Sequence, residues 1–158
     1  MNFGRLAGRL GQMTLLFVLI ILFIFSVPSF WGLKCYSVVS GSMAPSLPVG
    51  SAVYIKSKSP EKIREGEIIT YCTEQGKTVI THRVVESNRE KQQFITKGDA
   101  NNSCDPKPVS WKNLQGSVVF CIPFAGYALN FLGSRNGKLA AVFLLLACYL
   151  GTEFLKGK

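Results

Sequence analysis

The chain has 158 residues, about one domain's worth, with 47% apolar residues and a mean hydropathy of +0.24. Eighteen basic against nine acidic side chains give a net charge of +9. That balance excludes an acidic disordered chain, and Gly and Pro are too few for a collagen-like or low-complexity one. A positive mean hydropathy in so charged a chain requires its apolar residues to be clustered, and they gather at the two ends.

The first cluster lies between Arg9 and Lys34, where 24 residues carry no charge. About 20 helical residues cross the ~30 Å hydrocarbon core of a bilayer, so a transmembrane helix is expected over 13–33. The competing reading is a cleaved signal peptide. The stretch is longer than a usual signal-peptide core, and Phe23-Ile24-Phe25 gives way to Ser26-Val27-Pro28 rather than to a small-x-small site. Trp31 and Tyr36 suit the far interface.

The middle of the chain reads as β structure punctuated by turns. Val38 and Val39 precede a Ser/Gly/Pro-rich turn region over 40–50. Strands are expected over 51–56, 66–71, 78–86, 94–96 and 116–122, where β-branched and aromatic residues concentrate. Residues 98–108 form a loop by composition. No helix of three turns is expected between 34 and 122. After Pro123 the sequence turns apolar again but is broken by Gly126 and Asn130, which predicts a segment pressed onto the membrane interface over 123–133.

The second cluster, 139–151, is short for a span, but the lysines at 138 and 156 can snorkel. A second transmembrane helix over 138–155 is expected in preference to an interfacial one. Arg5 and Arg9 precede the first span, and Lys156 and Lys158 follow the second, so both ends read as cytoplasmic. The expected organisation is a cytoplasmic start (1–12), a span (13–33), an extracytoplasmic β-rich domain (34–137), a second span (138–155) and a cytoplasmic tail (156–158). The outer domain carries 13 Lys/Arg and 8 Asp/Glu, a balance suited to an anionic membrane surface or simply to a solvated basic face.

One histidine and five scattered cysteines leave little material for a metal site, and no cofactor motif is present. Cys35, Cys72, Cys104 and Cys121 fall in the outer domain and could pair in an oxidising compartment. With no Cys-x-x-Cys spacing, small buried hydrophobes are the preferred reading. Cys148 is expected to lie within the membrane.

Three places in the outer domain carry polar groups suited to chemistry. In Ser40-Gly41-Ser42-Met43-Ala44-Pro45 a serine in a tight turn can present a nucleophilic hydroxyl beside backbone N–H donors for an oxyanion, although Ser-Gly turns are also ordinary punctuation. Thr81-His82-Arg83-Val84-Val85 holds the only histidine, and a free imidazole titrates near ~6.5, as a general base at neutral pH should. Taken alone, His82 reads in preference as a strand residue facing solvent or satisfied by a neighbour. The loop Thr96-Lys97-Gly98-Asp99-Ala100-Asn101-Asn102-Ser103-Cys104-Asp105-Pro106 offers two aspartates that could orient His82. It has oxygen ligands enough to suggest calcium, but lacks the Gly and distal Glu of an EF-hand.

Together, Ser-Gly-Ser-Met-x-Pro, Thr-His-Arg-Val-Val and Lys-Gly-Asp-Ala-Asn-Asn, in that order, resemble type I signal peptidase, and the resemblance runs from about Val38 to Leu132. The histidine marks the endoplasmic-reticulum-type branch, in which it stands where the common bacterial branch has a catalytic lysine. The resemblance implies a mainly β, signal-peptidase-like catalytic domain on an N-terminal transmembrane helix. Its activity would be that of a membrane-bound serine endopeptidase removing signal peptides from exported preproteins, without a cofactor or metal.

It further implies Ser42 as nucleophile, His82 as general base and Asp105 as the triad acid in preference to Asp99, which would support the site. Ser40 and the backbone N–H of Ser42 would form the oxyanion hole. The expected setting is the plasma membrane of a prokaryote or the endoplasmic reticulum membrane of a eukaryote, with preproteins, the bilayer and possible accessory subunits as partners. Many relatives have Glu where this chain has Ala44, a change with no obvious place in acyl transfer. A related self-cleaving protease lacks the membrane spans and has a catalytic lysine that is missing here. A non-catalytic module would not need the retained Ser, His and Asp residues. Nucleic-acid binding is disfavoured by the extracytoplasmic placement.

Overall fold

The computed structural model describes residues 8–9, 11–20, 23, 31–73, 76 and 78–156, with the backbone alone at 148 and 152–156. The chain divides into two compact units, one of Trp31–Leu129 and one that joins Met1–Phe30 to Asn130–Lys158.

The first unit is a seven-stranded antiparallel sheet. Its strands are β1 (Leu33–Ser37), β2 (Ala52–Lys56), β3 (Ile68–Cys72), β4 (Val79–Asn88), β5 (Gln93–Lys97), β6 (Val109–Ser110) and β7 (Leu114–Ile122). They lie in the order β1-β2-β7-β3-β4-β5-β6, so β1 and β6 form the two edges. Five of the seven fall where alternation and β-branching predict them. β1 lies outside the expected strands because its sequence, Leu-Lys-Cys-Tyr-Ser, has little β signature of its own; pairing of Leu33–Ser37 with β2 makes it a strand. The two-residue β6 is likewise defined by its pairing with β5.

Between 34 and 122 the only helical pieces among the described residues are single 3₁₀ turns, Pro60–Lys62 and Trp111–Asn113. β7 serves both β2 and β3, and each pairing contains a register shift, at Tyr54/Ile55 and at Thr70/Tyr71. Such bulges kink and twist the strands locally.

Two apolar clusters stabilise this unit. Ile63, Ile69, Tyr71, Val84, Phe94 and Val109 form one, with Ile80, Trp111 and Leu114 packed against it. Met43, Leu47, Val53 and Ile55 form the other, with Tyr36, Val38, Ile68, Val118 and Cys121 around it. Burial of each such side chain contributes about 1.5–3 kcal/mol. Ile68 and Ile69 belong to different clusters because successive strand residues face opposite sides.

Three described helices remain: α1 (Gly11–Ile20), α2 (Ala125–Gly133) and α3 (Arg135–Lys156). α2 opens against the sheet unit. The Gly126 N–H donates to the Gly50 carbonyl at 2.8 Å, and a Cβ at Gly126 would lie 2.3 Å from the Ser51 carbonyl oxygen. Glycine permits that approach.

The expected first span, 13–33, falls partly outside the described residues. Among those described, no single helix is long and apolar enough to cross a membrane. In α3 the uncharged run from Leu139 to Gly151 would extend only about 20 Å at the helical rise, short of the ~30 Å core. α2 and the Arg135–Gly151 part of α3 have the length and composition of a span only as a pair with a break between them. Many apolar side chains of α1 and α3 are exposed, among them Met13, Phe17, Leu139, Phe143 and Leu150.

Candidate active site

Ser42 stands in the loop from β1 to β2. The loop is closed at its base where Val38 N–H donates to the Ser51 carbonyl and Gly50 N–H to the Val38 carbonyl, both at 2.9 Å. Within it, Ala44 N–H donates to Gly41 O at 3.0 Å and Leu47 N–H to Met43 O at 2.8 Å. Met43 and Leu47 are buried and root the loop in the second apolar cluster. The turn that composition suggests is therefore packed from below, while Ser42 itself stays partly exposed.

His82 comes from β4, whose residues pair with β3 on one side and β5 on the other. It is only 8% exposed. Its Nε2 lies 3.1 Å from Ser42 Oγ and its Nδ1 lies 2.6 Å from Asp105 Oδ2. A carboxylate only accepts, so Nδ1 carries the proton and Nε2 is left to accept from the Ser42 hydroxyl. Ser40 Oγ lies 3.3 Å from Ser42 Oγ. With the Ser42 proton committed to His82, Ser40 is the donor in that pair.

The two aspartates of the 98–108 loop go to different partners. Asp105 meets His82. Asp99 accepts from Arg83 Nε at 2.8 Å and from Arg83 Nη2 at 2.6 Å. The division follows from strand geometry, since His82 and Arg83 are consecutive in β4 and project to opposite faces. Arg83 also donates to the Gly66 carbonyl at 2.7 Å and to Ser46 Oγ at 3.3 Å, tying β4 to the serine loop. Hydrogen bonding to Arg83 holds the Asp99 carboxyl below its ordinary value and raises the Arg83 guanidinium.

The same aspartate loop touches the serine turn directly. Ala100 N–H donates to the Ser42 carbonyl at 2.9 Å. A Cβ at Gly98 would lie 2.6 Å from that carbonyl oxygen, so the contact needs the glycine.

Sequence reasoning did not single out the groups behind Asp105. Thr96 Oγ1 donates to Asp105 Oδ2 at 2.6 Å, and the Tyr71 hydroxyl donates to the same oxygen at 3.3 Å. Both residues lie in strands and bear on His82 by register. Ile69 pairs with His82 in β3 and Val84 pairs with Thr96 in β5, so Tyr71, His82 and Thr96 share one face. Burial, offset in part by Thr96 and reinforced by the Asp105 charge, pushes the Tyr71 phenol up to about 12, so it stays a donor.

Ser42 and His82 open onto a cavity of about 470 Å³ whose other walls include Val38, Met43, Leu47 and Ile80. A second cavity, about 400 Å³, borders His82 and Asp105 and is walled in part by Pro106 and Pro108. Cys35, Cys72, Cys104 and Cys121 are free thiols. The first, second and fourth are half-buried, as the small-hydrophobe reading expects, whereas Cys104 is exposed. The Cys148 side chain lies outside those described.

No protein-family model matches the chain. Over 117 residues it is 33% identical to the signal peptidase complex catalytic subunit SEC11 of Fusarium vanettenii, which covers 68% of this chain and 67% of that one. The chain belongs to the signal peptidase family. The SEC11 catalytic subunit of Lodderomyces elongisporus is 40% identical over 111 residues, covering 63% of this chain and 64% of that one. Signal peptidase I W of Bacillus subtilis is 34% identical over 95 residues, 58% of this chain and 50% of its own. This signal peptidase family member thus spans between half and two thirds of the length of these relatives, and it falls in the branch that includes SEC11.

Proposed function

We propose that this chain is a membrane-bound serine endopeptidase that cleaves N-terminal signal peptides from exported preproteins. The observation that carries the proposal is the continuous string Ser42–His82–Asp105, with hydrogen-bond distances of 3.1 and 2.6 Å, at the edge of an apolar-walled cavity.

In the first step the Ser42 oxygen attacks the scissile carbonyl while its proton passes to His82 Nε2. Asp105 stabilises the imidazolium through Nδ1. The oxyanion is met by the Ser42 backbone N–H, with the Ser40 hydroxyl beside it. His82 then returns the proton to the leaving amine, the C–N bond breaks and an acyl-serine remains. Water, deprotonated by His82, attacks the ester and releases the signal peptide with a free carboxylate. Asp99 acts structurally by holding Arg83, and through it the serine loop. The family resemblance implies small residues at the positions preceding the cut, and the Val38, Met43 and Ile80 walls suit small apolar side chains.

The proposal places 13–33 and 138–155 in the membrane and the sheet unit outside the cytoplasm. Exposed Trp31, Phe124 and Tyr127 support contact of the sheet unit with the bilayer interface. Confining enzyme and signal peptide to one bilayer raises their effective concentration. The bilayer is a plasma membrane or an endoplasmic reticulum membrane. Because the SEC11 relatives are described as catalytic subunits of a complex, accessory subunits are proposed partners.

The test is cleavage of a labelled preprotein in liposomes by the wild-type chain and by Ser42→Ala in parallel. Cleavage by the wild type alone, after a small-x-small sequence, is expected. Equal processing by the pure Ser42→Ala protein would remove the serine mechanism.

A further inference from the structure

We propose that Thr96 is a positioning residue for the acid–base pair: its hydroxyl locks the Asp105 carboxylate in the orientation that receives His82. This inference rests on the serine-peptidase reading above and adds a residue to the machinery.

Asp105 sits in a loop without regular structure, and the carboxylate torsion of an aspartate is broad. Nothing in the loop's own backbone determines which oxygen faces the imidazole. Thr96 supplies that constraint twice. Its carbonyl accepts the Asp105 N–H at 2.8 Å, and its hydroxyl donates to Oδ2 at 2.6 Å. The second distance is that of a charge-assisted O–H···O⁻ bond. Thr96 itself is fully buried, in β5 and paired with Val84 of β4. The anchor is therefore part of the sheet that carries His82, and the loop residue inherits the rigidity of the strand.

Tyr71 approaches the same oxygen from β3, but at 3.3 Å, and its hydroxyl lies 3.4 Å from Thr96 Oγ1. It is the weaker of the two donors. Without the threonine hydroxyl the carboxylate can turn away from Nδ1. The imidazole then loses the bond that selects its tautomer, and the imidazolium formed during attack loses its partner. The ground-state cavity that binds the peptide is not touched by this change, because Thr96 does not line it.

The decisive comparison is Thr96→Val against Thr96→Ser in the full chain in liposomes. The valine variant preserves shape and removes the hydroxyl, whereas the serine variant preserves the hydroxyl. For Thr96→Val, kcat is expected to fall about 10- to 100-fold with KM within about twofold, as for a misplaced catalytic group. Thr96→Ser is expected to restore most of kcat. His82 is the only histidine, so its Nδ1–H resonance can be followed by NMR without overlap. That signal should be downfield in the wild type and in Thr96→Ser, and shifted upfield or lost in Thr96→Val.

Wild-type kcat in Thr96→Val, or an unchanged Nδ1–H signal, would overturn the proposal. So would equal impairment of the serine and valine variants, which would make the effect one of packing. Should Thr96→Val fail to fold, Thr96→Ala takes its place in the same comparison. If the wild-type protein cleaves no preprotein, the peptidase reading is what fails. The NMR comparison, repeated in a Ser42→Ala background, still decides whether Thr96 holds the His82–Asp105 pair.

Discussion

Consecutive residues in β4 do different work, and the reason is the period of a strand. His82 faces Ser42 and Asp105, while Arg83 faces Asp99 and Ser46. A histidine, a serine and two aspartates were legible as a constellation because each sits in a recognisable short motif. Which aspartate meets the histidine is only a preference on resemblance, since the two stand six positions apart in a loop with no periodicity. The Asp105–Thr96 backbone bond turns one carboxylate towards β5 and His82, and the Arg83 fork captures the other. The division predicts different phenotypes. Asp105→Asn should lower cleavage about 10³- to 10⁴-fold, because an amide can donate to Nδ1 and impose the wrong tautomer. His82→Ala should abolish it, and single-turnover cleavage assays on folded protein measure both. Cleavage by Asp105→Asn within tenfold of wild type would mean that the 2.6 Å contact is not used in turnover.

At the scale of elements, the serine loop is held by what lies beneath it. Met43 and Leu47 anchor it to the β2 side of the sheet, and Met43→Ala should cost about 2–5 kcal/mol of stability, read as a lowered urea midpoint. The second fastening is the Arg83–Asp99 pair. Because Arg83 depresses the Asp99 value, the pair contributes stability above the unfolded carboxylate value of about 3.9. That contribution is lost as pH falls through the lower folded value. Arg83 is about a third exposed, so the pair is worth about 1 kcal/mol after solvent screening. Asp99→Asn should therefore destabilise the protein at neutral pH, with the deficit shrinking as pH falls below about 3.9, in urea titrations at neutral and at acidic pH. An equal deficit at both would assign the effect to something other than charge.

Element boundaries repeat the same contrast between local and distant causes. β2, β3, β4, β5 and β7 carry their own alternation and were readable. β1 and β6 owe their strand character to a neighbour. Thr96 and Tyr71 look in sequence like ordinary strand residues, because nothing local records that a loop carboxylate folds back onto them.

The whole molecule joins a β unit to two apolar ends. The membrane reading predicts that the full chain, reconstituted in liposomes, stays with the lipid after alkaline carbonate extraction. Recovery in the supernatant would rule out transmembrane anchoring. The sequence already shows that the uncharged part of α3 is too short to span unaided without snorkelling lysines, and the structure adds a second way to reach the length, with α2 joining it across the break.

Composition and local pattern determined that this chain is β-rich in the middle and apolar at its ends, and that it carries a serine, a histidine and two aspartates in family-like motifs. Those properties are written in residues near one another in the chain. The tertiary structure alone decided that Ser42 and His82, forty positions apart, meet at 3.1 Å, that Asp105 rather than Asp99 lies behind the imidazole, and that Thr96 and Tyr71 converge on its carboxylate. Strand register and a glycine-permitted loop contact bring those groups together, and neither is a property of any single segment.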